Sequence, residues 1–257
     1  MEENIMKERL AQLKEAQQRF HQNNQISIPK IQRVPQLLRQ NKRFYKYCTP
    51  KIISFGPIHH NSESLKEGHR YKLLWTSPFV ATYARKIDQD DNQACQLLLK
   101  KIEDDINKLK NMFHEDVAEG YNDNDLSWML FVDGCALLHF MENVDDQRPQ
   151  ELNLKLDQLM NIWRDVMLLE NQLPMKLLEI LCEDWRTDLE FLFQNYLGKG
   201  KSKHDGMYLI PLKNYKYIHI LDYSRSIFLS SFLNTLDYEE NNQIETQSKE
   251  MSTTKWE

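Results

Sequence analysis

Apolar residues recur at helical spacing along most of the chain. The clearest run is Cys95, Leu98, Leu99, Ile102, Ile106, Leu109 and Phe113, which steps by +3, +1, +3, +4, +3 and +4 along one face and predicts one continuous helix. The opposite face carries Lys100, Lys101, Asp104, Asp105, Lys108 and Lys110, a solvated exterior. Residues 126–143, LSWMLFVDGCALLHFMEN, are almost apolar all round and predict a central buried helix with Asp125 as its N-cap. Residues 65–87 read as a helix interrupted near Pro78. Residues 151–181 read as a helical region with Leu152, Leu156, Leu159, Met160, Trp163, Val166 and Met167 on one side, which Pro174 must kink or restart. A further helix is expected over 184–197. Residues 1–25 form a polar, Gln-rich helix or frayed leader, where Ile5, Leu10, Leu13, Ala16 and Phe20 make only a thin stripe.

The texture changes between Ile26 and Pro57, where prolines 29, 35, 50 and 57 forbid a long helix. Pro35 suits the first position of a helical turn running to Asn41. KIISF (51–55) is expected as a short strand or an extended buried segment, and MYLIPL (207–212) as a second short strand. Residues 218–233 close the ordered part. From Asp237 the chain is polar, with six acidic and two basic residues, and reads as a disordered acidic tail. The expected architecture is mainly α: a leader over 1–25, one irregular multi-helix domain over 26–236 with a few short strands or extended segments, and a tail over 237–257.

Composition narrows the function classes. Seven glycines in 257 residues leave little material for barrels, sandwiches or glycine-rich phosphate loops. A net charge of −5 disfavours a general nucleic-acid binder, which needs a basic face. The start, MEENIMKERL, lacks the apolar stretch of a secretory signal, and no apolar run approaches the roughly 18 residues of a membrane span. Cys48, Cys95, Cys135 and Cys182 are spaced as neither zinc knuckle nor redox pair, so they read as buried thiols of a reducing compartment. A cytoplasmic location is expected.

Few residues suggest chemistry. His59, His60 and His69 invite a metal, but adjacent side chains diverge and no carboxylate pattern accompanies them; no metal or cofactor is expected. The plainer reading is a turn after Gly56 and Pro57 whose imidazoles hydrogen-bond backbone carbonyls. No nucleophile elbow occurs, and Cys135 beside Asp133 in an apolar helix reads as an inert thiol. GKGKSK in the basic loop 198–206 lacks the spacing of a phosphate cradle; its lysines, Lys199, Lys201 and Lys203, read as solvated, with an anionic membrane surface as the alternative. Asp165, Glu170, Asn171 and Gln172 intrude on a Leu- and Met-rich region and predict a buried polar junction. Glu170 would pair with an Arg or Lys there, and the two amides would satisfy carbonyls freed at the Pro174 break. The competing reading is an enzyme pocket formed by these groups with His59 and His60.

The motifs IPKIQRVPQLLRQN (28–41), KIISFGPIHHN (51–61), VDGCALLHF (132–140), DVMLLENQLPMKLL (165–178) and YIHILDYSR (217–225) occur in this order. Together they resemble a plant family labelled "domain of unknown function 247". That resemblance implies a mostly helical protein without established catalytic activity. Some grass members sit at self-incompatibility loci and are regarded as pollen-side recognition determinants. Typical members exceed 400 residues and carry a C-terminal membrane-spanning helix, so a shortened chain without the anchor is expected here. Ala136 stands where the family commonly shows an aromatic residue. The resulting expectation is a non-catalytic recognition module with an unidentified protein partner. Its structurally decisive residues would be Gly56, Pro57, His59, His60, Asp133, Asp165, Glu170, Asn171, Gln172 and Pro174.

Overall fold

The structure is a computed structural model, and it describes residues 2–23, 29–144, 152–183, 189–198 and 217–229. Contacts divide the chain between Lys30 and Ile31. The first unit is helix α1 (Glu2–Asn23), whose Ile5, Met6, Leu10 and Leu13 are exposed.

The second unit begins with two one-turn helices, α2 (Gln36–Arg39) and α3 (Lys42–Tyr45). Pro35 sits at the N-cap of α2, one position before the first helical residue. After an irregular segment and a short 3-10 turn (Glu63–Leu65) come α4 (Lys66–Ile87), α5 (Asp91–Asp104), α6 (Ile106–Lys110), α7 (Glu115–Ala118) and α8 (Asp123–Asn143). Then follow α9 (Leu156–Val166), α10 (Met175–Cys182), α11 (Leu189–Gly198) and a last helical stretch over 220–229. The fold is mainly α.

The all-round apolar character of 126–143 has the expected result. Helix α8 is buried on nearly every side, and α4, α5, α6, α10 and α11 pack on it. Its start differs from expectation: Asn122 is the N-cap, its side chain accepting from the Asp125 N–H at 2.8 Å. Asp123 and Asp125 then occupy the first turn, where negative charge suits the helix dipole.

Two further corrections have local causes. Helix α4 runs through Pro78 without interruption; the proline is on the exposed side, so water can reach the carbonyl of exposed Leu74 that loses its donor. The expected continuous helix over 95–113 breaks at Asp105 into α5 and α6. Leu98, Ile102, Ile106, Leu109 and Phe113 nevertheless all stay buried, so the apolar register survives the break. Residues 51–55 form no strand: the chain bends at Lys51 and Ile52 and runs buried without regular structure from Ile53 to Phe55. Among the described residues the sole β pairing is a bridge between Ile31 and Phe113, with Ile31 N–H donating to Met112 O (2.8 Å) and His114 N–H to Ile31 O (2.9 Å).

Pro174 ends a loop and α10 restarts immediately after it. Residues 184–188, the loop 199–206, the segment 207–212 and the tail from Asp237 lie outside the described residues. Among those described, no helix is long and apolar enough to cross a membrane.

Candidate functional site

A buried segment without a helix or strand partner must satisfy its backbone elsewhere. Residues 51–57 do so with buried side chains. The N–H groups of Lys51, Ile52 and Ile53 all donate to Asp165 Oδ2, at 2.9, 2.7 and 3.2 Å, while Arg164 holds Asp165 Oδ1 at 2.7 Å. Asn171 acts as a backbone surrogate: its Oδ1 accepts from Phe55 N–H (2.6 Å) and its Nδ2 donates to the carbonyls of Ile53 (3.1 Å) and Asp165 (2.8 Å). Gly56 N–H donates to Asp133 Oδ2 at 2.8 Å. The Ser54 carbonyl accepts from Lys72 Nζ (2.9 Å), and the Pro57 carbonyl accepts from Tyr121 (3.1 Å).

Two glycines permit this fit. Gly56 has φ +72°, and a Cβ there would lie 2.9 Å from the Gln172 carbonyl oxygen. At Gly68 on α4 a Cβ would lie 2.1 Å from the Ile52 carbonyl oxygen, so the helix touches the segment backbone to backbone.

Lys72 was not anticipated. It is 1% exposed, and its ammonium sits 2.6 Å from Asp133 Oδ1 as an ion pair. Thr76 beside it donates to the carbonyl of Lys72 or of Val132, at 2.8 and 3.1 Å. The signal was present in the sequence: Lys72 shares a helical face with Trp75, Thr76, Phe79, Val80 and Tyr83, all buried.

Glu170 closes the junction on another side. One oxygen accepts from Val34 N–H (2.6 Å); the other lies 2.9 Å from Arg39 and 3.1 Å from His59 Nε2. Burial pushes its carboxyl up, but the hydrogen bonds from His59 and Val34 and the Arg39 charge outweigh that and hold it below the usual value. Gln172 donates to the carbonyls of Val166 (2.8 Å) and Leu168 (2.7 Å) at the end of α9, and accepts from Leu221 N–H (3.2 Å). Met175 N–H, just after Pro174, donates to Ile218 O at 2.7 Å.

The sequence-predicted residues therefore gather unevenly. Asp165, Glu170, Asn171 and Gln172 form one buried network with Gly56, Asp133 and His59. His60 turns the other way, its ring 6.0 Å from that of His69 and 6.3 Å from that of Tyr121. Pro57 caps the segment and Pro174 only restarts a helix. His59 Nε2 also lies 3.2 Å from the Cys48 carbonyl. Among the described residues no group of three or more His, Cys, Asp or Glu side chains could hold a metal ion. What the network can do is position backbone: each of its carboxylates already accepts from main-chain donors and faces a basic side chain.

A family profile described as "Plant protein of unknown function" matches residues 31–256. The chain belongs to the domain of unknown function 247 family. This domain 247 protein is 28% identical over 209 residues to the UPF0481 protein At3g47200 of Arabidopsis thaliana, a match covering 77% of this chain and 41% of that protein. It is 27% identical over 186 residues to the putative UPF0481 protein At3g02645 of the same plant, covering 68% of this chain and 33% of the relative. The match thus spans less than half the length of either relative. No solved structure matches. The profile match begins at Ile31, where the contacts also divide the domain 247 chain. Of the five motifs that carry the resemblance, each contributes a partner to the network: Val34 and Arg39, the 51–57 backbone, Asp133, the 165–175 cluster, and Ile218 with Leu221.

Proposed function

We propose that this domain 247 protein is a non-catalytic recognition module whose residues 33–51, with Leu169, engage the surface of an acidic partner protein. The observation that carries the reading is the composition of that segment on the outside. Leu37 is 80% exposed, and Leu38, Tyr45, Tyr47 and Leu169 are exposed too. Leu169 N–H donates to Tyr47 O (3.4 Å), which brings it beside the segment. Residues 31–51 hold six Arg and Lys and no Asp or Glu, in a chain whose net charge is −5. Arg33, Arg43, Lys46 and Lys51 are exposed, with Lys46 Nζ 4.8 Å from the centre of the Tyr47 ring.

Tyrosine beside arginine is the composition of an interface core, and the basic rim sets the charge of the partner. A membrane surface is less well served, because α2 and α3 have four residues each and offer no long apolar face to lie in a bilayer. The non-catalytic part is supported by the carboxylates of the buried network, all committed to backbone or basic partners. Four free cysteines, three of them buried, support a cytoplasmic address. Self-incompatibility-type recognition is the process towards which the family resemblance points.

A photo-crosslinker replacing Tyr45 or Tyr47 tests the reading, with the exposed Leu97 on α5 as the control position. The expected result in plant cells is a discrete protein adduct from positions 45 and 47 alone, joined through an acidic peptide and lost in the Arg43→Glu, Lys46→Glu variant. Equal labelling at all three positions, or flotation with phosphatidylserine vesicles that the same variant abolishes, would contradict it.

A further inference from the structure

We propose that the cleft beside the His60–Asn61 turn binds a small organic cation, an alkylammonium or guanidinium group. The cleft has a volume of about 420 Å³ and opens along the first three turns of α8, with Asp133 of the buried network in its wall. That size suits a small ligand or a single side chain.

The lining decides the charge of the occupant. Asp125 and Asp133 both line the cleft, and neither Lys nor Arg does. Lys72 pairs with Asp133, whereas Asp125 in the first turn of α8 has no basic side chain paired with it among the described residues. Asp125 accepts from Asn122 Nδ2 (2.7 Å), which still leaves acceptor capacity on its carboxylate.

Trp128 lies one turn further along the same helix face. It is 49% exposed, whereas every other residue from Leu126 to Leu138 is buried, and its ring tilts against Phe131 at 5.5 Å. A carboxylate and an exposed indole three residues apart form the pair that attracts an organic cation by charge and by ring quadrupole. His60 also lines the cleft, and burial lowers its proton affinity, so its ring adds little positive charge there.

The test follows the indole N–H resonance of Trp128, assigned with Trp128→Phe, on the full chain. Butylguanidinium is titrated against butylurea, its neutral isostere, and against N-acetyl-Gly-Arg-Gly-amide. The expected result is a saturable shift with the guanidinium, about tenfold tighter than with the urea, and a gap that narrows in Asp125→Asn. A response to butylguanidinium but not to the peptide identifies a free small cation; an equal or stronger response to the peptide identifies an arginine side chain. Equal affinity for urea and guanidinium, or no saturation by either cation below about 10 mM, would overturn the proposal. The comparison of charged and neutral probes is made on the unaltered chain and does not depend on any variant folding.

Discussion

At the scale of single residues, Glu170 shows why a buried carboxylate need not be a reactive one. Its oxygens already serve Val34, Arg39 and His59, so removing the side chain strands donors inside the protein. Glu170→Ala should destabilise the fold by about 1–3 kcal/mol in urea unfolding; an Ala variant that unfolds like the parent would remove the structural reading of the motif. The pH dependence has a definite sign. Glu170 is held below its ordinary value of 4.5, so its stabilisation is present above that pH and is lost as the pH falls through the lowered value. Glu170→Gln should therefore show a shallower fall in Tm below pH 4.5 than the parent chain. Lys72 belongs to the same scale. Lys72→Met leaves Asp133 buried without its cation and should cost about 3–5 kcal/mol, most of it recovered when Asp133→Asn is added. A sequence shows a Lys on an apolar face, but the partner is 61 positions away and only folding brings it near.

At the scale of elements, α8 was the most legible, because an all-round apolar helix has only the centre of a helical fold to occupy. The 51–57 segment was the least legible. Its β-branched residues fit a strand equally well, and what replaces strand pairing is a set of acceptors more than 70 positions away in sequence. The break at Asp105 escaped for another reason: apolar spacing is blind to a kink that preserves the face. The polar cluster at 165–172 was legible as a junction, since Asp, Glu, Asn and Gln among leucines need partners; its target, the ISFGP backbone, was not. Contact between α4 and this segment gives a direct test. Gly68→Ala forces a Cβ against the Ile52 carbonyl and should destabilise by about 3 kcal/mol, whereas Ala at the open Gly120 should be nearly neutral in the same thermal melts.

At the scale of the whole molecule, the second unit is knit by buried side chains reaching to backbone, and its titration behaviour follows. Burial lowers His60, His139 and His219 below 6.5, so acid protonates them in the unfolded chain before the folded one. Stability should be full above pH 6.5 and decline as the pH falls below it, a decline that His139→Gln flattens. The thiols behave in parallel. Burial holds Cys135 far above its usual range and pushes Cys182 up to about 12, so a thiol reagent at neutral pH should leave both unlabelled until the chain is unfolded. Asp133, Asp165 and Asn171, from two of the family motifs, hold the 51–56 backbone. Amide hydrogen exchange at Ile53, Phe55 and Gly56 reads that hold. These amides should exchange as slowly as those of α8, through global unfolding, and Asn171→Ala should accelerate Phe55 in particular. Exchange at the rate of an open loop would mean that these side chains do not hold the segment.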